Sequence, residues 1–400
     1  MMHRFRFSLI LVCIAALGIW IGSGIFNYFT HQSPPIFSLV NIENDGFYTQ
    51  QHTASVTAHN DYKIANITIM IDGKEFLNNN IRSKNFELPF TIDTTTLAEG
   101  PHTFDITAVD SSYHGNKSEA HLTFNVDNTP MRVALLTQEC TADQGRTMHL
   151  KVQANKRLGE TTVKLFNKTH SFAAEAEGSF VYECFIPVDC EERPNEHLVT
   201  IDVQDMVKNT QKLPCKVAIR GFEFKKQRGF NVSSEKLESE RATSVDDKVL
   251  REALGKWVLE SSKKKLWSGA FEYPIQVQRM TTPFGEIRMN PDRGRYMHKG
   301  IDLINRPKCV VWASQTGKVI IKDQFTLYGN TVVLDHGLGV FTLYAHLDSF
   351  ANIEVGDTIN KGNAVGKLGM TGYASGYHLH WELLVNNVGV DPVEWTSKVF

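Results

Sequence analysis

The segment His378-Leu379-His380-Trp381-Glu382-Leu383 constrains this chain more than any other stretch. Its polar–apolar alternation has the period of a β-strand, so His378, His380 and Glu382 share one face. Residues two apart on a strand lie roughly 6.6 Å apart at the backbone, so two imidazoles there can converge. Upstream, His298 and Asp302 stand in Met297-His298-Lys299-Gly300-Ile301-Asp302-Leu303, and His346 in Leu343-Tyr344-Ala345-His346-Leu347-Asp348. Imidazole and carboxylate are ligands for a divalent metal, and catalytic zinc commonly takes three protein ligands and leaves one position for water. Five candidates exceed a minimal metal site. The surplus suits hydrolysis, which also needs groups that handle protons. His298 and Asp302 would be about 13 Å apart on a straight strand, so they share a metal only if the chain bends. Gly300 supplies a place to bend.

The surrounding text is ordered and collinear. It runs through Thr282-Pro283-Phe284-Gly285 with Arg288, His298-x-Gly300-Ile301-Asp302, Gly317-Lys318-Val319, Tyr328-Gly329-Asn330 and Asp335-His336-Gly337. It continues with Tyr344-Ala345-His346, Val355-Gly356-Asp357, Lys361-Gly362, Thr371-Gly372, His378-Leu379-His380-Trp381-Glu382 and Asp391-Pro392. This series resembles the lysostaphin-type (LytM-like, glycyl-glycine endopeptidase) zinc metallopeptidases. The resemblance implies that His298, Asp302 and His380 ligate Zn2+, and that His346 and His378 flank the water on the metal. It implies hydrolysis of peptide bonds in bacterial peptidoglycan cross-links or stems. One free histidine would accept the water's proton and the other would stabilise the oxyanion; the resemblance does not say which. The implied fold is an antiparallel β domain with a narrow groove, the duplicated hybrid motif. Two departures concern loops: Lys308-Cys309-Val310-Val311 replaces a turn glycine and a proline, and Tyr377 replaces a proline before the His-x-His. The alternative is a non-catalytic LytM-like envelope module that recruits or activates another wall hydrolase. Such members lose ligands or the paired histidines, and all five residues are present here.

Upstream of this region the signals are those of short strands. Residues 54–58, 67–71 and 104–108 alternate as half-buried strands do. Asp72-Gly73 is a hairpin signal. A run from His102 to Asp110, with Asn116 beyond, returns as a run from His197 to Asp205, with Asn209 beyond. The offset suits two successive immunoglobulin-like domains. Both histidines read as strand-edge residues rather than ligands. A charged stretch then contains a helix candidate at 245–262, with Ser244 as N-cap and Val249, Leu250, Ala253, Leu254, Trp257 and Val258 on its apolar face.

The expected fold is therefore mainly β. Residues 34–128 and 129–220 are expected to be immunoglobulin-like β-sandwiches, 221–275 a partly helical linker, and 276–400 the antiparallel peptidase domain. Residues 1–33 are expected to form a cytoplasmic tip and membrane anchor, or a signal peptide, because an uncharged stretch from Ser8 to Phe29 follows His3, Arg4 and Arg6. An anchor would make this a single-pass membrane protein with its bulk extracytoplasmic. The sandwiches would act as spacers, or dock an envelope protein partner. Cys140, Cys184, Cys190 and Cys215 fit an oxidising compartment, with all three pairings open, and Cys309 is left over. The net charge of −2 argues against a nucleic-acid partner.

Overall fold

The computed structural model describes residues 2–137, 140–227, 234–290 and 294–400, without the side chains of 2–15, 234–246, 289, 290 and 294. The protein is mainly β and divides into two compact units, Met1–Pro130 and Met131–Phe400.

In the first unit one six-stranded sheet is organised around the long strand Gln51–Ile71, whose first part pairs with Ile36–Val40 and whose second part pairs with Gly100–Asp110. The long strand Lys74–Asp93 folds back along it through Asp72-Gly73, both of which have positive φ. That is the geometry an Asp-Gly hairpin provides. Alternate residues Val56, Ile67, Ile69, Phe104, Ile106 and Phe124 face inward and are fully buried.

The expected anchor is overturned. The backbone of Met2–Thr30 is helical, but among the described residues no helix is long and apolar enough to cross a membrane. The part of the expected segment from Ser8 to Ala15 lies outside the residues whose side chains are described. The single-pass topology and the extracytoplasmic placement built on it are withdrawn with it. The end of this helix packs on its own unit instead. The Phe29 and Tyr113 rings lie 5.1 Å apart, and the Tyr113 amide donates to the Tyr28 carbonyl at 2.9 Å.

In the second unit, residues 131–220 form a five-stranded and a four-stranded sheet around one core that includes Leu150, Val152, Ile186, Ile201 and Val217. The repeated sequence frame has a local structural counterpart. Strands Gly100–Asp110 and Asn195–Asp205 each end in an aspartate that receives hydrogen bonds from the following Asn, from both its backbone and its side-chain amide. The carboxylate thereby closes the turn into the next antiparallel strand. Cys140 and Cys215 lie with sulfurs 3.0 Å apart, whereas Cys184 is buried separately.

Beside a two-stranded sheet formed by Ile287–Asn290 and Gly294–Met297, the largest sheet of this unit among the described residues has ten strands. Its central path runs Arg279–Thr282, Ile301–Ile304, Leu379–Val385, Val340–Phe350, Gly329–Asp335 and Gly317–Phe325, all antiparallel. Helix Ser234–Glu260 lies against it. Leu250 and Leu254 are fully buried among Tyr328, Val333, Phe341, Leu343 and Leu384, each contributing about 1.5–3 kcal/mol by leaving water. The helix already runs through Ser244, so that residue is not its cap. Val249, expected on the apolar face, is exposed. Trp267 and Phe271 bury themselves with Trp395, Phe400 and Phe185 of the preceding sheet, which joins the two parts of this unit.

His336, at the end of strand Gly329–Asp335, is fully buried against the Thr316 carbonyl and the Thr342 hydroxyl. Burial pushes its imidazole down to about 4. Unfolded, it titrates near 6.5, so between those values the unfolded chain binds the extra proton. The stabilisation is complete above pH 6.5 and is lost as pH falls through 4, amounting to about 3 kcal/mol. Denaturant titrations of the full chain should show this loss between pH 7 and pH 4. His336→Gln should remove most of that pH dependence.

Candidate active site

Register explains how distant residues meet. On strand Leu379–Val385, His380 lies opposite Asp302 of Ile301–Ile304 on one side and opposite Ala345 of Val340–Phe350 on the other. His346 follows immediately, with φ of 59° where the strand pairing is interrupted. A non-glycine residue in that region is uncommon and tends to mark a functional constraint. Gly300 is needed for a reason other than bending. A Cβ there would lie 2.5 Å from the Trp381 carbonyl oxygen and 3.0 Å from the His380 ring, so only glycine lets the His298 loop approach this strand.

His298, Asp302 and His380 converge. His298 Nε2 lies 3.2 Å from Asp302 Oδ1 and 3.1 Å from His380 Nδ1, and His380 Nδ1 lies 3.0 Å from Asp302 Oδ1. The outer nitrogens fix the tautomers. His298 Nδ1 faces the Pro283 carbonyl at 3.3 Å and His380 Nε2 faces Glu382 Oε1 at 2.9 Å. Both partners only accept, so the outer nitrogens carry the hydrogens. With both rings neutral, three acceptors would point at one another within about one hydrogen-bond length, and only a shared cation, a metal ion or a proton, relieves that arrangement. Two neutral imidazoles and a carboxylate match a zinc donor set. All three residues are buried.

Without a metal that cation is a proton on His380, which metal binding would displace. Burial opposes charge on Asp302, yet His298 and His380 hold its carboxyl well below the usual range. Burial opposes charge on His380 too, but its bonds to Asp302 and Glu382 push it up to about 9. His298 is lowered by burial.

His346 and His378 stand beside this trio, with rings 4.6 Å apart. His346 Nδ1 faces the Thr371 carbonyl at 2.8 Å and His378 Nδ1 the Gly376 carbonyl at 2.9 Å. In each neutral ring Nδ1 donates and Nε2 is the acceptor. His378 Nε2 lies 3.9 Å from Asp302 Oδ1. Burial, with His378 and His380 nearby, pushes His346 down to about 3, so it is neutral. The structure thus brings all five sequence-selected residues into one place. His378 sits just before the strand rather than in it, bridged to Gly369.

Sequence reading placed Glu382 on the His380 face but did not single out its partner, Arg251. Glu382 is fully buried; burial opposes its charge, but Arg251 and His380 hold it down to about 2. Arg251 comes from helix Ser234–Glu260. A signal was present: Arg251 stands four residues after Asp247 and three before Leu254, on the border of an apolar helix face.

Comparison with known proteins covers this region. Residues 296–392 match peptidase family M23. The chain is 38% identical over 121 residues to the DD-carboxypeptidase/endopeptidase Mpg of Neisseria meningitidis, covering 30% of this chain and 27% of that relative. It is 32% identical over 125 residues to the peptidoglycan DD-endopeptidase ShyB of Vibrio cholerae, covering 30% and 29%. It is 36% identical over 131 residues to an uncharacterized metalloprotease of Haemophilus influenzae, covering 32% and 27%. The chain therefore spans less than a third of the length of these curated relatives. The C-terminal part of the chain is a peptidase family M23 domain, and all five residues of the site lie within its matched span.

Proposed function

We propose that the C-terminal domain is a zinc-dependent endopeptidase that hydrolyses peptide bonds of bacterial peptidoglycan cross-links or stems. The observation that carries this reading is the convergence of three buried acceptors, on His298, Asp302 and His380, beside two further histidines. The family match and the names of the relatives support the substrate class.

His298, Asp302 and His380 would hold the zinc. When bound, it supplies a Lewis acid that polarises the scissile carbonyl and acidifies water. His346 is suited to accept the proton of the attacking water, because its Nδ1–H is committed to Thr371 and its neutral Nε2 is bare. His378 is the partner that stabilises charge on the carbonyl oxygen, which requires its Nε2 to carry a proton during the reaction. Arg288 Nη2 lies 3.6 Å from Asp302 Oδ2, an opposite charge beside that carboxylate.

The same reading assigns residues 34–128 and 129–220 to immunoglobulin-like sandwiches serving as spacers, 221–275 to the linker and 276–400 to the peptidase domain. The repeated aspartate-closed hairpins support the pairing of the first two.

Purified sacculi incubated with the full chain should release soluble muropeptides. A strong chelator should stop the release and added zinc should restore it. Undiminished release by fully metal-free protein would refute the zinc mechanism.

A further inference from the structure

Helix Ser234–Glu260 does more than cover the peptidase sheet. Arg251 Nη2 lies 2.9 and 2.8 Å from the two oxygens of Glu382 and donates to the Tyr328 hydroxyl at 3.0 Å. The Tyr328 hydroxyl in turn donates to Asp247 Oδ1 at 2.7 Å, on the same helix. Asp247 Oδ2 also lies 3.4 Å from Lys299 Nζ, and Lys299 follows His298 in the chain. The helix therefore reaches both segments that carry the histidines of the trio. The Arg251 side chain is 15% exposed and that of Glu382 1%, so this pair is shielded from water.

We infer that Arg251 is a positioning residue for the zinc centre, acting through Glu382 on His380. This inference rests on the metal-site reading above. A carboxylate that accepts the outer N–H of a ligand histidine sets its tautomer and orientation and strengthens its donor nitrogen. Glu382 can do that only while it is held in place. Arg251 fixes the carboxylate from both oxygens. The linker helix is thereby part of the metal site, although Arg251 and Glu382 stand 131 residues apart in sequence.

The test is zinc affinity of the full chain, read by competition against a chromophoric chelator, for wild type, Arg251→Met, Glu382→Met and the double variant. Arg251→Met should weaken zinc binding by roughly 10–100-fold. In the Glu382→Met background the same change should cost no further affinity, because its route of action is gone. Wild-type affinity in folded Arg251→Met, or an equal loss in both backgrounds, would overturn the proposal. Melting of the metal-free protein is measured in parallel, since a merely structural arginine would lower melting and leave zinc affinity unchanged. If Arg251→Met does not fold, Arg251→Lys decides. Its shorter point charge should bridge Glu382 and Tyr328 poorly and weaken zinc binding, and unchanged affinity would overturn the inference. A wild-type chain that binds no zinc would sink the metal-site reading and this inference together. A wild-type chain that binds zinc alongside unaffected variants would sink this inference alone.

Discussion

Replacing His380 with alanine is expected to abolish zinc binding and hydrolysis together. His380 is the central member of the trio, 3.0 Å from Asp302 and 3.1 Å from His298. Its loss removes one of three ligand atoms. It also removes one hydrogen bond to the fully buried Glu382, which keeps those from Arg251. A hydrogen bond to a charged group contributes about 1.5–3 kcal/mol, so a lower melting point should accompany the loss of metal. Zinc per chain should fall from about one, the stoichiometry of a three-ligand catalytic site, to near zero in dialysed protein. Muropeptide release should fall to background. Asp302→Ala should behave alike, because the carboxylate is the only anionic member of the trio. Elemental analysis beside a hydrolysis assay checks both variants. Retained zinc with retained activity in either would mean that the metal is held elsewhere.

His346→Ala and His378→Ala should do the opposite with respect to metal, keeping zinc while losing turnover. Both rings orient by donating Nδ1–H to a backbone carbonyl, Thr371 or Gly376, and neither ring is part of the three-acceptor cluster. A positioned acid or base contributes about 10²–10⁴-fold, so each single loss should be at least that large. The two act on one water and one developing oxyanion, and the double variant should be little worse than either single one. Rates for all four forms at fixed zinc occupancy provide the check. If His378→Ala lost the metal and His380→Ala kept it, the roles within His378-Leu379-His380 would be reversed.

The strand that carries His380 was readable because alternation alone determines which residues share a face. His380 and Glu382 do share one, and their side chains are hydrogen-bonded. The bend expected between His298 and Asp302 was located at the correct glycine for an incomplete reason. What demands glycine is the approach of the Trp381 carbonyl from another strand, a long-range contact with no local trace. Arg251 was missed for a related reason. A charge beside an apolar helix face usually meets water, and only the docked sheet turns it into the partner of a buried carboxylate. The helix itself was anticipated, but its start was not, since Ser244 and the two acids after it imitate a cap inside a longer run. The apolar stretch after Arg6 had the composition of an anchor, yet the described residues hold no helix long and apolar enough to cross a membrane. Cysteine spacing could not choose a partner for Cys140, whereas the fold sets Cys215 beside it because their strand and loop are neighbours.

The most direct measurement is the mass of the products formed from a defined cross-linked muropeptide by the zinc-loaded full chain, with Asp302→Ala as the control. Wild type should add one water across a peptide bond and yield two peptide-bearing fragments with intact sugars, while the variant leaves the substrate whole. Cleavage confined to the glycan, or no cleavage by a chain that carries its zinc, would contradict a peptidoglycan endopeptidase.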